Sequence, residues 1–195
     1  MPSAFPRLVH ISFGHCLDPD TLLAGNLVKF FQALKEPPKL LSLAYIPFLE
    51  EFHVVKILRC IGGSLTVFEI IGGGSKGQKT GDEEGENNVF AALSTYCRQL
   101  QALRLTLMEI MIEDLDTVLD LEETLTELKL QGNNYTAFDE EEEPIEGDEA
   151  EAVLAGLFEN KGKNLECFEC DFRSGHRGGT ALRNLIALQK RTTTS

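Results

Sequence analysis

A chain of 195 residues is long enough to bury a sizeable core as a single domain. Hydrophobic residues make up 43% and charged residues 25%, the balance of an ordinary globular protein, and no apolar run approaches the roughly 20 residues that span a bilayer. A net charge of -13 excludes binding to a nucleic-acid backbone by charge alone, since phosphates are held by an excess of Lys and Arg.

The start, MPSAFPRLVHISF, has no basic region followed by a continuous apolar stretch, so no secretory signal is read there. Five cysteines (Cys16, Cys60, Cys97, Cys167, Cys170) are an odd number that does not suggest a disulfide framework. Reduced thiols in a cytoplasmic or nuclear protein fit better.

Taken in chain order, one pattern recurs: apolar at the first, fourth and sixth positions of a six-residue stretch. Each copy predicts a short strand, and each is followed by a helical signal. Leu8, Ile11 and Phe13 form the first copy, with a helix over 27–35 in which Phe30, Phe31 and Leu34 have amphipathic spacing. Leu40, Leu43 and Tyr45 form the second, followed by a helix over 48–60. Leu65, Phe68 and Ile70 form the third; an insertion near 72–88 separates it from a helix over 89–97. Leu100, Leu103 and Leu105 form the fourth, with a helix over 112–121 built on Leu115, Val118 and Leu119. Leu125, Leu128 and Leu130 form the fifth. A second insertion near 134–148 follows, then a helix over 150–158 carrying Val153, Leu154 and Leu157, with Asp148 as its expected N-cap. Leu165, Phe168 and Cys170 close the series before a helix over 180–189. The starts are separated by 32, 25, 35, 25 and 40 residues, so 25 is the basic period.

The acidity is confined to the insertions. Asp82, Glu83, Glu84 and Glu86 form one run, and 139–143 with Glu146, Asp148, Glu149 and Glu151 form the other. Together they hold 13 of the 31 acids and no Lys or Arg, leaving 18 acids against 18 bases elsewhere. Such blocks are solvated loops or recruit a basic partner, and Pro144 and Gly147 interrupt any helix across the second.

The strand motif L-x-x-L-x-L resembles that of leucine-rich repeat proteins over nearly the whole chain, from Leu8 to Gln189. The resemblance implies an α/β solenoid of about six repeats, a curved parallel sheet with outer helices, as one domain over 1–195. It also implies a ninth position where Asn or Cys hydrogen-bonds the backbone as the strand turns outward. Cys16 and Asn133 occupy it in the first and fifth copies; Phe48, Gly73, Met108 and Arg173 depart from it. A 25-residue unit with a full helix is most similar to the cysteine-containing subclass of F-box proteins, or to the ribonuclease-inhibitor subclass.

Alternation along a strand places the third and fifth positions on the concave face. These are His10 and Ser12, Ser42 and Ala44, Val67 and Glu69, Ala102 and Arg104, Glu127 and Lys129, and Cys167 and Glu169. Small or apolar residues dominate its N-terminal half and charged ones its C-terminal half, which suits a protein or peptide better than a small metabolite. The competing reading is a solvated sheet face with no partner.

No stretch carries a catalytic motif. Gly72 to Thr80 resembles a phosphate loop, but Gln78 separates Gly77 from Lys79 and the acids beyond it would repel a triphosphate, so a loop is the better reading. Cys167 and Cys170 have C-x-x-C spacing with no second pair to complete a zinc site. His10, His15, His53 and His176 are scattered across the copies. The expectation is therefore a non-enzymatic module with no cofactor or metal, binding a protein partner and neither nucleic acid nor membrane. A substrate-recognition fragment of an F-box-type ubiquitin ligase and an acidic chaperone of basic proteins are the alternatives. With seven residues before the first strand and a short Thr/Ser tail after the last helix, the chain is expected to be part of a longer array or to associate end-on with a partner.

Overall fold

A computed structural model describes residues 10–14, 24–46, 49–72, 88–106, 109–121, 124–131, 134–138, 144–145 and 148–170. In chain order the elements are β1 (His10–Gly14), α1 (Ala24–Ala33), β2 (Leu40–Ala44), α2 (Glu51–Ile61) and β3 (Val67–Ile71). Then come α3 (Val89–Tyr96), β4 (Ala102–Thr106), β5 (Glu109–Met111), α4 (Ile112–Leu119) and β6 (Glu127–Gln131). The series ends with β7 (Asn134–Phe138), β8 (Pro144–Ile145), α5 (Asp148–Lys161) and β9 (Cys167–Cys170).

The architecture is α/β. Six strands form one sheet in the order β1-β2-β3-β4-β6-β9, every neighbouring pair parallel. Parallel neighbours need a crossover, and helices supply it among the described residues. The helices stack in the same sequence, α1 on α2, α2 on α3, α3 on α4 and α4 on α5.

The register places equivalent apolar side chains in rows. Ile11, Leu41, Phe68, Leu103, Leu128 and Phe168 are paired strand to strand, and all are buried. A second row runs through Phe13, Leu43, Ile70, Leu105 and Leu130. Each side chain so buried stabilises the fold by about 1.5–3 kcal/mol, and each touches the next unit rather than only its own. The helices complete the core with Leu27, Val28 and Phe31 from α1 and with Val54, Ile57, Leu58 and Ile61 from α2.

The entry to each strand repeats one hydrogen-bond device. Two consecutive amides of one strand donate to a single carbonyl of the strand before: Thr66 and Val67 to Lys39, Gln101 and Ala102 to Thr66. Thr126 and Glu127 donate to Gln101 in the same way, and Glu166 and Cys167 to Thr126. Just ahead of it, Leu65, Leu100, Leu125 and Leu165 are buried, with their amides closing the turn from the helix. Gly62 begins one such turn, and a Cβ there would lie 2.9 Å from Cys97 Sγ and 3.0 Å from the Tyr96 carbonyl. Only glycine lets the two units approach so closely. Cys97 is itself buried, and burial pushes its thiol up to about 12, so it packs as an apolar side chain.

The structure corrects the second copy of the motif by two residues. Leu41, not Leu43, pairs with Phe68 and Ile11, so Pro38, Leu41 and Leu43 fill the first, fourth and sixth positions. Pro38 is buried. It is tolerated because the amide at this position closes a local turn in the other units and takes no part in the ladder. Tyr45 leaves the core for an exposed position, and the ninth residue becomes Ile46, which is buried, in place of Phe48. The paired positions 11, 41, 68, 103, 128 and 168 are thus separated by 30, 27, 35, 25 and 40 residues.

The described residues of the insertion near 134–148 form β7, parallel to β5, and β8, antiparallel to β7, which make a separate three-stranded sheet. The expected positions of Leu8, Cys16, His15, Asn133, His176 and the helix over 180–189 lie outside the described residues, as do 73–87 and 139–143.

Between adjacent helices, Asn88 acts twice. Its Oδ1 accepts from the Ala91 amide at 2.9 Å as the N-cap of α3, and its Nδ2 donates to Asp114 Oδ1 at 2.7 Å on α4. Burial raises the Asp114 carboxyl above its ordinary range and Glu113 adds to this, while the Asn88 bond opposes both. A carboxyl raised on folding contributes stability below its unfolded pKa and loses it as pH rises through the folded one. Asp114→Asn keeps an oxygen acceptor and removes the penalised charge. It should be more stable than wild type to urea at pH 7, with the difference vanishing toward about pH 3.5, near the ordinary carboxylate range. Equal midpoints at pH 7 would count against this account.

Candidate functional site

Strand residues of the opposite parity face away from the helices, and the register aligns them into rows as well. The third-position row is His10, Leu40, Val67, Ala102, Glu127 and Cys167. The fifth-position row is Ser12, Ser42, Glu69, Arg104, Lys129 and Glu169. All twelve expected residues lie on this face. Because the slip in the second unit is two residues, parity survives and only the rows change. Ser42 moves from the third position to the fifth, Leu40 takes its place, and Ala44 joins Gly14, Ile71, Thr106 and Gln131 one step further along.

Accessibility across the face is uneven. His10 and Ser12 are exposed, and Val67, Glu69, Arg104, Glu127, Lys129 and Cys167 are half-buried. Ser42 and Ala102 are only 6% exposed, which corrects the expectation that both present a surface. Each is a small side chain in a dense parallel row, so the longer residues beside it cover it. They form the floor of the face, not its contacts.

The charged half is cross-linked. Arg104 Nε donates to Glu127 Oε1 at 2.8 Å, and Lys129 Nζ lies 3.8 Å from the same oxygen and 3.3 Å from Glu169 Oε1. The hydrogen bond that Arg104 donates to Glu127 holds its guanidinium above the usual range, and the one Lys129 donates to Glu169 does the same for its ammonium. Both bases stay charged throughout the neutral range. Solvent screens pairs this exposed, so their main effect is to fix where the charges sit and not to stabilise the fold. Toward the N-terminal side, Ser42 Oγ donates to Glu69 Oε2 at 2.6 Å.

Sequence reasoning missed two further residues at the strand C-terminal edge. Tyr45 is 44% exposed and has φ of 49°, the left-handed region that non-glycine residues enter at a cost. Its ring closes against Gly72, which has φ of 57°. Of the other candidate groups, His53 sits on α2, where its Nδ1 accepts from the Glu50 amide at 3.3 Å, closing a capping box. Burial lowers its pKa, in keeping with a neutral ring that accepts. Cys167 lies on the open face with its Sγ 4.0 Å from Glu169 Oε1, while the side chain of Cys170 and residues 73–80 lie outside the described set. Among the described residues no group of three or more His, Cys, Asp or Glu could hold a metal ion, and no helix is long and apolar enough to cross a membrane.

No protein-family model and no curated protein matches the chain. Among solved structures, the tropomodulin C-terminal domain of Caenorhabditis elegans aligns with 89% of this chain and 100% of its own, at 12% identity and a TM-score of 0.46.

A Cβ on Gly72 would lie 2.8 Å from two carbons of the Tyr45 ring, on a backbone already in the left-handed region. Gly72→Ala should cost about 1–3 kcal/mol in chemical denaturation through strain and displacement of the ring. Adding Tyr45→Ala should recover the part due to the ring. A Gly72→Ala variant as stable as wild type would remove the close contact from the account.

Proposed function

We propose that the chain is a leucine-rich repeat solenoid of about six repeats and that its concave sheet face binds a partner protein without catalysis. The observation that carries the reading is the open face itself. Six in-register strands offer two continuous rows of side chains at about 4.8 Å spacing, with charge fixed by ion pairs toward one end and Leu40 and Val67 as apolar groups beside it. Rigid side chains bind with little loss of conformational entropy, so a face of this kind favours recognition of an extended surface. The absence of a basic excess favours a protein over a nucleic acid, and a cytoplasmic or nuclear setting suits the thiols Cys60, Cys97 and Cys167.

Arg104 and Lys129 supply the test. An Arg104→Ala/Lys129→Ala variant with an unchanged circular dichroism spectrum should lose at least about tenfold in affinity for any partner isolated with the wild type, as expected when charge-assisted hydrogen bonds are removed. A Lys29→Ala control on the exposed side of α1 should bind as wild type does. Undiminished binding by the double variant would overturn the assignment of the site.

A further inference from the structure

The open face divides into two chemically different parts, and the border between them specifies a ligand. On the apolar side, Leu40 and Val67 stand half-buried in adjacent strands, and Ala102 leaves a low floor beside them. On the charged side, the five ionised groups are Glu69, Arg104, Glu127, Lys129 and Glu169, three acids against two bases. Both bases are already engaged, Arg104 by Glu127 and Lys129 by Glu169 and Glu127. Glu69 differs. Its hydrogen bond comes from the neutral Ser42 hydroxyl; Arg104 stands opposite it on β4 and attracts it through space but is bonded to Glu127, and among the described residues no cation lies within ion-pairing distance of it. A half-buried carboxylate in that position favours a cation brought by a ligand, because desolvation weakens what water would otherwise provide.

The geometry points to an extended peptide segment of a partner protein that carries an aliphatic residue and, two positions away, an arginine or lysine. The aliphatic side chain lies on Leu40, Val67 and Ala102, and the cation reaches Glu69. Val67 and Glu69 are two residues apart on β3, a rise of about 7 Å. Side chains two apart on one face of an extended peptide have the same separation, so both contacts form at once without bending either backbone. A chain of net charge -13 attracts such a segment before contact. The inference rests on the reading of this face as the binding site and adds the chemistry of the partner.

The experiment uses an array of immobilised heptapeptides with Leu-x-Arg, Leu-x-Glu or Ser-x-Arg at the centre and randomised flanks, probed with the fluorescently labelled full chain. Wild type should prefer Leu-x-Arg over each of the others by roughly tenfold, the size of one charge-assisted contact or one buried aliphatic group. Glu69→Gln, which keeps an acceptor for Ser42, should reduce the preference over Leu-x-Glu to about twofold or less, and Glu69→Arg should invert it. Val67→Ser should erode the preference over Ser-x-Arg while leaving the charge preference in place. No preference by wild type, or one that Glu69→Gln leaves intact, overturns the proposal. Ala102→Arg, which fills the floor, separates the two levels. If it abolishes peptide binding that shows no preference for Arg, the face is the site and the cationic ligand is wrong. Binding that Ala102→Arg does not touch sinks both.

Discussion

Two adjacent amides converging on one carbonyl, at four successive strand entries, set the register on which everything else in this protein rests. A parallel strand has no hairpin to fix its alignment, and a slip of one residue would exchange its buried and open faces. Anchoring the entry removes that freedom before the apolar row is reached. Ile11, Leu41, Phe68, Leu103, Leu128 and Phe168 then meet in line, and the burial of each depends on the presence of its neighbours. No single unit could hide its own leucines, so stability is a property of the stack.

That dependence explains which features could be read from the sequence. The pattern of leucines three and two apart is the direct imprint of a shared interior, and it located five of the six strands in their observed register, together with the helices from α1 to α5. The second unit failed for a definable reason. In PPKLLSLAY two matches overlap, one beginning at Pro38 and one at Leu40, and the choice between them is made by pairing with Phe68 and Ile11, not by composition. Pro38 is acceptable at the first position, because its missing amide is not needed there. Tyr45 inherited its strained backbone from the same arrangement.

The connections obey other constraints. The insertion over 134–148 was read through its acids, which dominate the composition but say nothing of the short runs Asn134–Phe138 and Pro144–Ile145. The first run pairs with Glu109–Met111 from the preceding unit, a partner 25 residues upstream that no local pattern announces, and the second pairs back on the first. Pairing between connections adds a second tie between units. It involves few residues, so the main sheet still fixes the fold.

On the open face the legible and illegible parts separate in the same way. Parity alone gave the correct face for all twelve residues, because alternation survives an even slip. Which of them a ligand can reach was not written in the pattern: Ser42 and Ala102 sink because of what stands beside them in neighbouring strands, two to three dozen residues away in sequence. Charge state followed the same logic. Arg104 and Lys129 look like free cations in the sequence, yet the register delivers Glu127 and Glu169 to them, and Glu69 takes its hydrogen bond from the Ser42 hydroxyl. The chemical character of the surface therefore comes from adjacency across strands. A substitution that shifted the register of one strand by two residues would keep every core leucine pointing inward and still rewrite the recognition surface.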